Sequence, residues 1–371
     1  MKTPSPDHIR TLKLKVRISP QRAVMLESPN GRMVVSILSK ILKLVLAIGC
    51  LTALGSAAAA APTRHISLSV MTYNVHGLPW PIARNRTAAF ERIEKRLSAL
   101  RQEDAQPHVI VLQEAFTERA KGIATRSGYR YLAIGPSEAM INTSQPAKKD
   151  ARFVNAASFF KGETMGKMLD SGLQIASDYP ILSVKRGAFP SFACAGYDCL
   201  ANKGVLLVTV AIPGSNTPVT IATTHMNSKR ASGVSQLRSL YAYQLQVAAI
   251  DAFLSANRDP NLPIIFAGDF NASSTARRSY LLDEGTKKWS AFPVRSALQN
   301  CMAAAILQGR KVDRLADYVV ERGRDWQFYA AGLGGNITAT RFDIPFGLER
   351  DGTMLSDHVG YGILYELQRT S

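Results

Sequence analysis

Several short apolar runs in this 371-residue chain end in, or lie beside, a residue able to hold a cation or move a proton. They are Tyr73-Asn74, Leu112-Gln113-Glu114, Thr224-His225, Gly268-Asp269-Phe270-Asn271 and, ahead of a final run, Ser356-Asp357-His358. Carboxylates are hard oxygen ligands for Mg²⁺ or Mn²⁺, amides donate to phosphate oxygens, and imidazoles transfer protons, so the set suits hydrolysis at an ionised phosphate. Strand ends meet at one edge of a sheet, where residues distant in sequence converge on a rigid floor. Taken singly, each residue has an ordinary role. Asn74 reads as a turn former before Gly77 and Pro79, Glu114 as a solvent-facing strand end, and Asp269 with Asn271 as an Asx turn. His225 reads as a core histidine and His358 as a surface one. Only the ordered set argues for a site.

The elements that must position these residues are short β-like runs alternating with longer helical stretches. Ile66 to Tyr73 alternates apolar and polar residues at period two, and Asn85 to Asp104 places Ala89, Ile93, Leu97 and Leu100 on one helical stripe. Val109 to Leu112 reads as a buried strand. Further strands are expected at Tyr129 to Ile134, Leu173 to Ser177, Gly204 to Ile212, Val219 to Thr224, Pro263 to Ala267, Asp317 to Val320 and Gly362 to Leu367, and helices at Gln236 to Asn257 and Val294 to Gly309. Strands outnumber helices and often follow one another directly, which favours packed sheets flanked by helices, an α/β (α+β) class, over a doubly wound sheet.

The chain is 46% hydrophobic, ample for a substantial core, and no repeat or low-complexity linker divides it after Ile66. Residues 33–61 run from Lys40 and Lys43 through an apolar stretch of about a dozen residues into a string of alanines, a signal-peptide pattern too short to span a bilayer. Cys50 after Ala47-Ile48-Gly49 loosely matches a lipoprotein box, but only six residues separate it from Lys43 and it has Ala at the third preceding position, so cleavage near residue 61 and export are the preferred reading. Residues 1–32 are set aside as a mis-called or disordered extension, and 62–371 are read as one domain. Nine basic and two acidic residues precede residue 62, so the formal charge of +17 falls to +10 for the remainder. That balance favours polyanions or anionic membrane surfaces without choosing between them. Cys194 and Cys199 are spaced for a local bridge, Cys301 reads as a buried thiol, and the chain lacks the closely spaced Cys and His ligands of a zinc site.

The segments Thr72-Tyr-Asn-Val-His76, Val111-Leu-Gln-Glu114, Thr224-His225, Gly268-Asp-Phe-Asn271, Asp317-Tyr-Val-Val320 and Ser356-Asp-His358 together resemble the endonuclease/exonuclease/phosphatase superfamily, over about Ser67 to Leu367. The resemblance implies a deoxyribonuclease I-like, four-layered sandwich of two mixed sheets with helices outside and a site at one end. It further implies Glu114 as the main ligand of Mg²⁺ or Mn²⁺, with Asn74 beside it and Asp357 close to the ion. His358 would be the general base or acid held by Asp317, Asp269 would orient or activate water, and Asn271 and His225 would bind phosphate oxygens. Val359-Gly360 follows the final His where an aromatic and Pro are common in the family.

The middle segment, with Asp198 and Lys203 five apart ahead of a strand, resembles neutral sphingomyelinases, as does Leu112-Gln-Glu-Ala-Phe116. Lys203 would then reach a phosphate as a point charge that Asp198 holds or withholds; the ordinary alternative is a surface ion pair of little energetic weight. The implied activity is a phospholipase C-type phosphodiesterase acting on a phospholipid headgroup, with peripheral membrane contact and no obligate protein partner. A nuclease acting on nucleic acid is the alternative, and an inactive binding protein on the same scaffold the third reading. No Arg-rich loop interleaved with aromatics favours the nuclease, and no long apolar hairpin favours the lipase.

Overall fold

A computed structural model describes residues 66–369; the leader, lipobox and extension readings fall outside them. Residues Arg64–Ser371 cluster as one compact unit.

β1 (Ile66–Asn74) pairs in parallel with β2 (Val109–Gln113) across the helix α1 (Arg86–Gln102), which buries Phe90, Ile93 and Leu97. β3 (Tyr131–Ile134) and β4 (Gln174–Ser177) extend this sheet on one side, and β11 (Gly335–Phe346) and β12 (Gly360–Arg369) on the other, in the order β11-β12-β1-β2-β4-β3. The second sheet runs β5 (Ile181–Ala188), β6 (Gly204–Val210), β7 (Val219–His225), β8 (Ile264–Asp269), β10 (Asp325–Ala330) and β9 (Arg295–Ser296). Outside the sheets lie α2 (Gln236–Asn257), α3 (Ala297–Leu307) and α4 (Arg314–Arg322). The architecture is the expected sandwich of two mixed sheets flanked by helices.

Between the sheets, Val70, Val109, Val111 and Ile363 of the first meet Leu206, Val208, Ile221 and Ile265 of the second in one continuous core. Burial of such side chains contributes roughly 1.5–3 kcal/mol each. Buried polar contacts fix the stacking as well: Gln113 Nε2 donates to Thr223 Oγ1 at 3.3 Å, and Gln327 Nε2 reaches the carbonyls of Val70 and Tyr361 at 3.2 Å. Among the described residues, no helix is long and apolar enough to cross a membrane.

Two expectations are corrected. Asp317 to Val320 is not a strand but the middle of α4, because the Asp313 side chain caps the Leu315 amide at 2.8 Å, Gly323 ends the turn with φ 58°, and Ala316 and Val319 bury one stripe. The strands β5, β9, β10 and β11 lie where no strand was expected, β9 taking the first residues of the helix expected at Val294 to Gly309. Cys194 and Cys199 form a disulfide, and Cys301 is a buried thiol.

Candidate functional site

Register explains the convergence. β1 and β2 align Asn74 with Gln113, so Glu114 follows beside Asn74; β7 and β8 align His225 with Asp269; and antiparallel β10 sets Asp325 opposite Asp269. His358 sits just ahead of β12. The carboxyl ends of four strands thus face the starting ends of two others.

At the centre, Asn74 Nδ2 donates to Glu114 Oε1 at 3.0 Å and to Asp269 Oδ2 at 3.1 Å, tying the two sheets together through one amide. Its Oδ1 accepts from the His76 amide at 3.0 Å, so the NH₂ end, not the carbonyl, faces the carboxylates. Glu114 holds φ at 56° and Asn271 at 49°, left-handed conformations that cost about 1–2 kcal/mol outside glycine and are easiest for Asn. The Glu114 carbonyl accepts from Gly77 N at 3.0 Å, and a Cβ at Gly77 would stand 2.3 Å from that oxygen, so the approach that aims Glu114 requires glycine.

Asp269 Oδ1 accepts from the Asn271 amide at 2.9 Å, while Oδ2 lies 3.6 Å from His225 Nε2 and 3.7 Å from His358 Nε2. Burial opposes its ionisation, but the two imidazoles and these hydrogen bonds hold the carboxyl below its usual range. Burial, and then the Lys203 ammonium, lower His225; its Nδ1 is buried without a partner among the described residues. Lys203 is itself buried. Its Nζ pairs with Asp198 and reaches His225 Nε2 at 3.3 Å and the Met226 carbonyl at 3.2 Å, so all three protons are engaged. Asp198 Oδ2 accepts from the Ser228 amide at 2.7 Å. This is a wall of the cavity, not the surface pair of the ordinary reading.

His358 Nδ1 lies 2.8 Å from Asp325 Oδ2. Burial disfavours the imidazolium, yet Asp325, Asp269 and Asp357 outweigh it and raise His358 to about 10. Arg324 Nη1, 3.3 Å from His358 Nε2, works against that charge, but it also bonds Asp357 Oδ2 at 3.3 Å. The partner assigned from sequence is therefore corrected: Asp317 is exposed on α4, and Asp325 holds the ring. Asp325 escaped notice because it begins a strand; the site was sought at strand ends, whereas an antiparallel strand brings its first residue to the same edge. The apolar, aromatic-rich run Trp326 to Ala330 behind it, interrupted by Gln327, was the available signal.

Asp357 sits at the rim with 55% of its side chain exposed, bridged to His76 Nδ1 at 3.2 Å. Burial of the rest opposes its charge, but His76, His358 and Arg324 hold it well below the carboxylate range. Arg277, missed in the sequence, is fully buried and ties the site's loops by donating to the carbonyls of Asn227, Ser228, Ser239 and Asn271.

The fit to a divalent cation can be judged from the donors. Ligand atoms of Glu114, His225 and Asp269 lie within 4.8 Å of one another, as do those of Asp269, Asp325 and His358. In the first group, neither carboxylate pairs with Lys or Arg among the described residues, and His225 is held neutral, which leaves uncompensated negative charge for a hard cation. In the second, Asp325 and His358 neutralise each other. Asp357 belongs to neither group and is occupied by His76 and Arg324.

These residues open on a cavity of about 570 Å³ that is also lined by the apolar side chains of Leu78, Ile82, Phe116, Leu169 and Leu200. The model of the Endonuclease/Exonuclease/phosphatase family matches residues 71–358. Solved structures of similar fold include SmcL, 15% identical over 81% of this chain and 99% of that chain at a TM-score of 0.52. Sphingomyelinase C from Streptomyces griseocarneus is 21% identical, over 81% and 99%, at 0.49, and humanized D. rerio TDP2 16% identical, over 81% and 98%, at 0.49. At these identities the likeness speaks to fold alone. No curated protein matches the chain in sequence.

Proposed function

The chain belongs to the endonuclease/exonuclease/phosphatase family of metal-dependent phosphoesterases, and from that premise we propose that it is an exported phosphodiesterase of phospholipase C type, acting on a lipid headgroup ester. The observation that carries this reading is the mixed lining of the cavity, where acid, imidazole and ammonium groups share the space with an apolar wall contributed by Leu78, Ile82, Phe116, Leu169 and Leu200. Such a wall suits the apolar part of a lipid alcohol. Ile82, 67% exposed at the mouth, and Trp80 two residues before it at 77% are suited to shallow contact with a membrane surface. The Cys194–Cys199 disulfide supports an oxidising compartment.

Glu114 and Asp269, with His225, would hold Mg²⁺ or Mn²⁺, which when bound supplies positive charge against the phosphate oxygens. Asn74 keeps the two carboxylates at a fixed separation. Asn271 Nδ2, which spends one hydrogen on the Met226 carbonyl at 3.0 Å, has a second for a phosphate oxygen. Lys203 would bind another by exchanging its contact with His225. Asp269 orients a water for attack on phosphorus and takes up its proton. As the ester P–O bond breaks, protonated His358, steadied by Asp325, gives its Nε2 proton to the leaving oxygen.

A second reading, a nuclease, is favoured by a basic cleft adjoining the cavity. Purified protein would be assayed on sphingomyelin, phosphatidylcholine, phosphatidylinositol, supercoiled DNA and a phosphomonoester, each with Mg²⁺ and with chelator. Metal-dependent release of a phosphorylated headgroup from at least one lipid is expected; turnover of DNA alone would replace this reading with the nuclease.

A further inference from the structure

Beside the reaction centre lies a smaller cleft of about 200 Å³ that carries four cationic side chains, Lys229, Arg230, Arg322 and Arg324, against one carboxylate, Glu321. Asn271, Arg230 and Arg324 line both this cleft and the catalytic cavity, so the two spaces adjoin through shared walls. Among the described residues, only Arg324 of the four makes an ion pair, to Asp357; Arg322 lies over the Tyr318 ring at 5.4 Å, and Lys229 and Arg230 have no charged partner. Like charges that outnumber their counter-charges repel one another, and a cleft built this way is relieved by an anion. The fold has a structural reason to gather them. Two cations ride the loop after β7 and two the junction between α4 and β10, the same segments that deliver His225 and Asp325.

We propose that this cleft is a second anion subsite, which binds a phosphate group carried on the substrate's headgroup beyond the scissile diester. The assignment rests on the phospholipase C reading and narrows it. The volume suits a phosphate group rather than a nucleotide, and Arg and Lys donors suit its oxygens. A choline would place its quaternary ammonium against four cations. Headgroups that end in a phosphate are therefore preferred over zwitterionic ones.

The test uses the full chain with Mg²⁺ and two lipids in mixed detergent micelles that differ by one phosphate, phosphatidylinositol and phosphatidylinositol 4-phosphate. The variant is Lys229→Gln with Arg322→Gln, the two cations that line only this cleft. Wild type is expected to show a KM about tenfold lower for the 4-phosphate, the scale of one to two charge-assisted contacts. The double variant loses that preference, with its KM for phosphatidylinositol within about twofold of wild type. Equal KM values for the two lipids in wild type, or a preference that survives in the variant, would overturn the subsite. A soluble diester, bis(p-nitrophenyl) phosphate, separates this result from failure of the lipid reading. Stronger inhibition by 1,3-propanediol bisphosphate than by propyl phosphate, lost in the double variant, supports the subsite even where no lipid is cleaved. No difference between these inhibitors overturns it. Turnover of DNA with neither lipid cleaved would overturn the headgroup assignment in favour of a neighbouring backbone phosphate.

Discussion

Replacing Asp325 by Asn keeps the shape of the group 2.8 Å from His358 Nδ1 and removes its charge. Two consequences follow. His358 is raised to about 10 from an ordinary value of 6.5, and Asp325 is the largest of the causes that raise it. Asp269 and Asp357 share in that lift, and burial raises Asp325 itself, so the pair's own contribution is set by the loss of about 3–5 kcal/mol seen on breaking buried pairs rather than by the whole shift. Because the folded value lies above the unfolded one, this contribution is fully present below about pH 6.5 and is lost as pH rises through about 10. In chelator, Asp325→Asn is therefore expected to lower stability by several kcal/mol at pH 6 and by far less at pH 10, measured by urea unfolding at both. In catalysis, the imidazole loses its orientation and acidity, and kcat is expected to fall about 10²- to 10⁴-fold with KM little changed. A stability loss equal at the two pH values, or a kcat within threefold of wild type, would refute the proposed pairing.

The other expectations test separate parts of the site. Asp317→Ala removes an exposed carboxylate on α4 and should leave kcat within about twofold and stability within about 0.5 kcal/mol, read from the same assays. Glu114→Gln should abolish metal-dependent turnover while the chain still folds, and should also erase the rise in melting temperature on adding Mg²⁺, which at 100 times Kd corresponds to about 2.7 kcal/mol; retained stabilisation would move the cation elsewhere. Arg277→Met leaves four backbone carbonyls without their shared donor, so a loss of about 3–5 kcal/mol is expected in denaturant unfolding. Replacing Cys194 and Cys199 by Ser opens a short loop worth about 2 kcal/mol of chain entropy and frees the turn that holds Asp198, so KM should rise more than kcat falls.

Much of this fold was legible in local pattern. β1 and α1 declare themselves because one-sided burial imposes a period of two or of 3.6 on the residues. The candidate site was legible wherever a functional residue ends an apolar run on a strand with a parallel neighbour, as Asn74, Glu114, His225 and Asp269 do. The four residues Asp317 to Val320 failed because so short an apolar run has no period of its own; the Asp313 cap and Gly323 stop made it helical. β11 was missed because its burial alternates irregularly across two bulges, and β10 because it follows α4 directly.

By itself, the order of residue types determined the class of chemistry: carboxylates, amides and imidazoles at strand ends, poised for a hard cation and a phosphate. Tertiary structure alone decided which acid meets which base. Asp317 and Asp325 are eight positions apart in the same stretch of chain, yet only the antiparallel register of β10 against β8 places Asp325 opposite Asp269 and beside His358. The buried setting of Lys203 and the cationic cleft likewise exist only once separate connecting segments of the second sheet pack together. Charge and hydrogen-bonding capacity belong to a residue, whereas the partner that shifts its proton affinity is set by distances of a few ångströms between segments far apart in sequence.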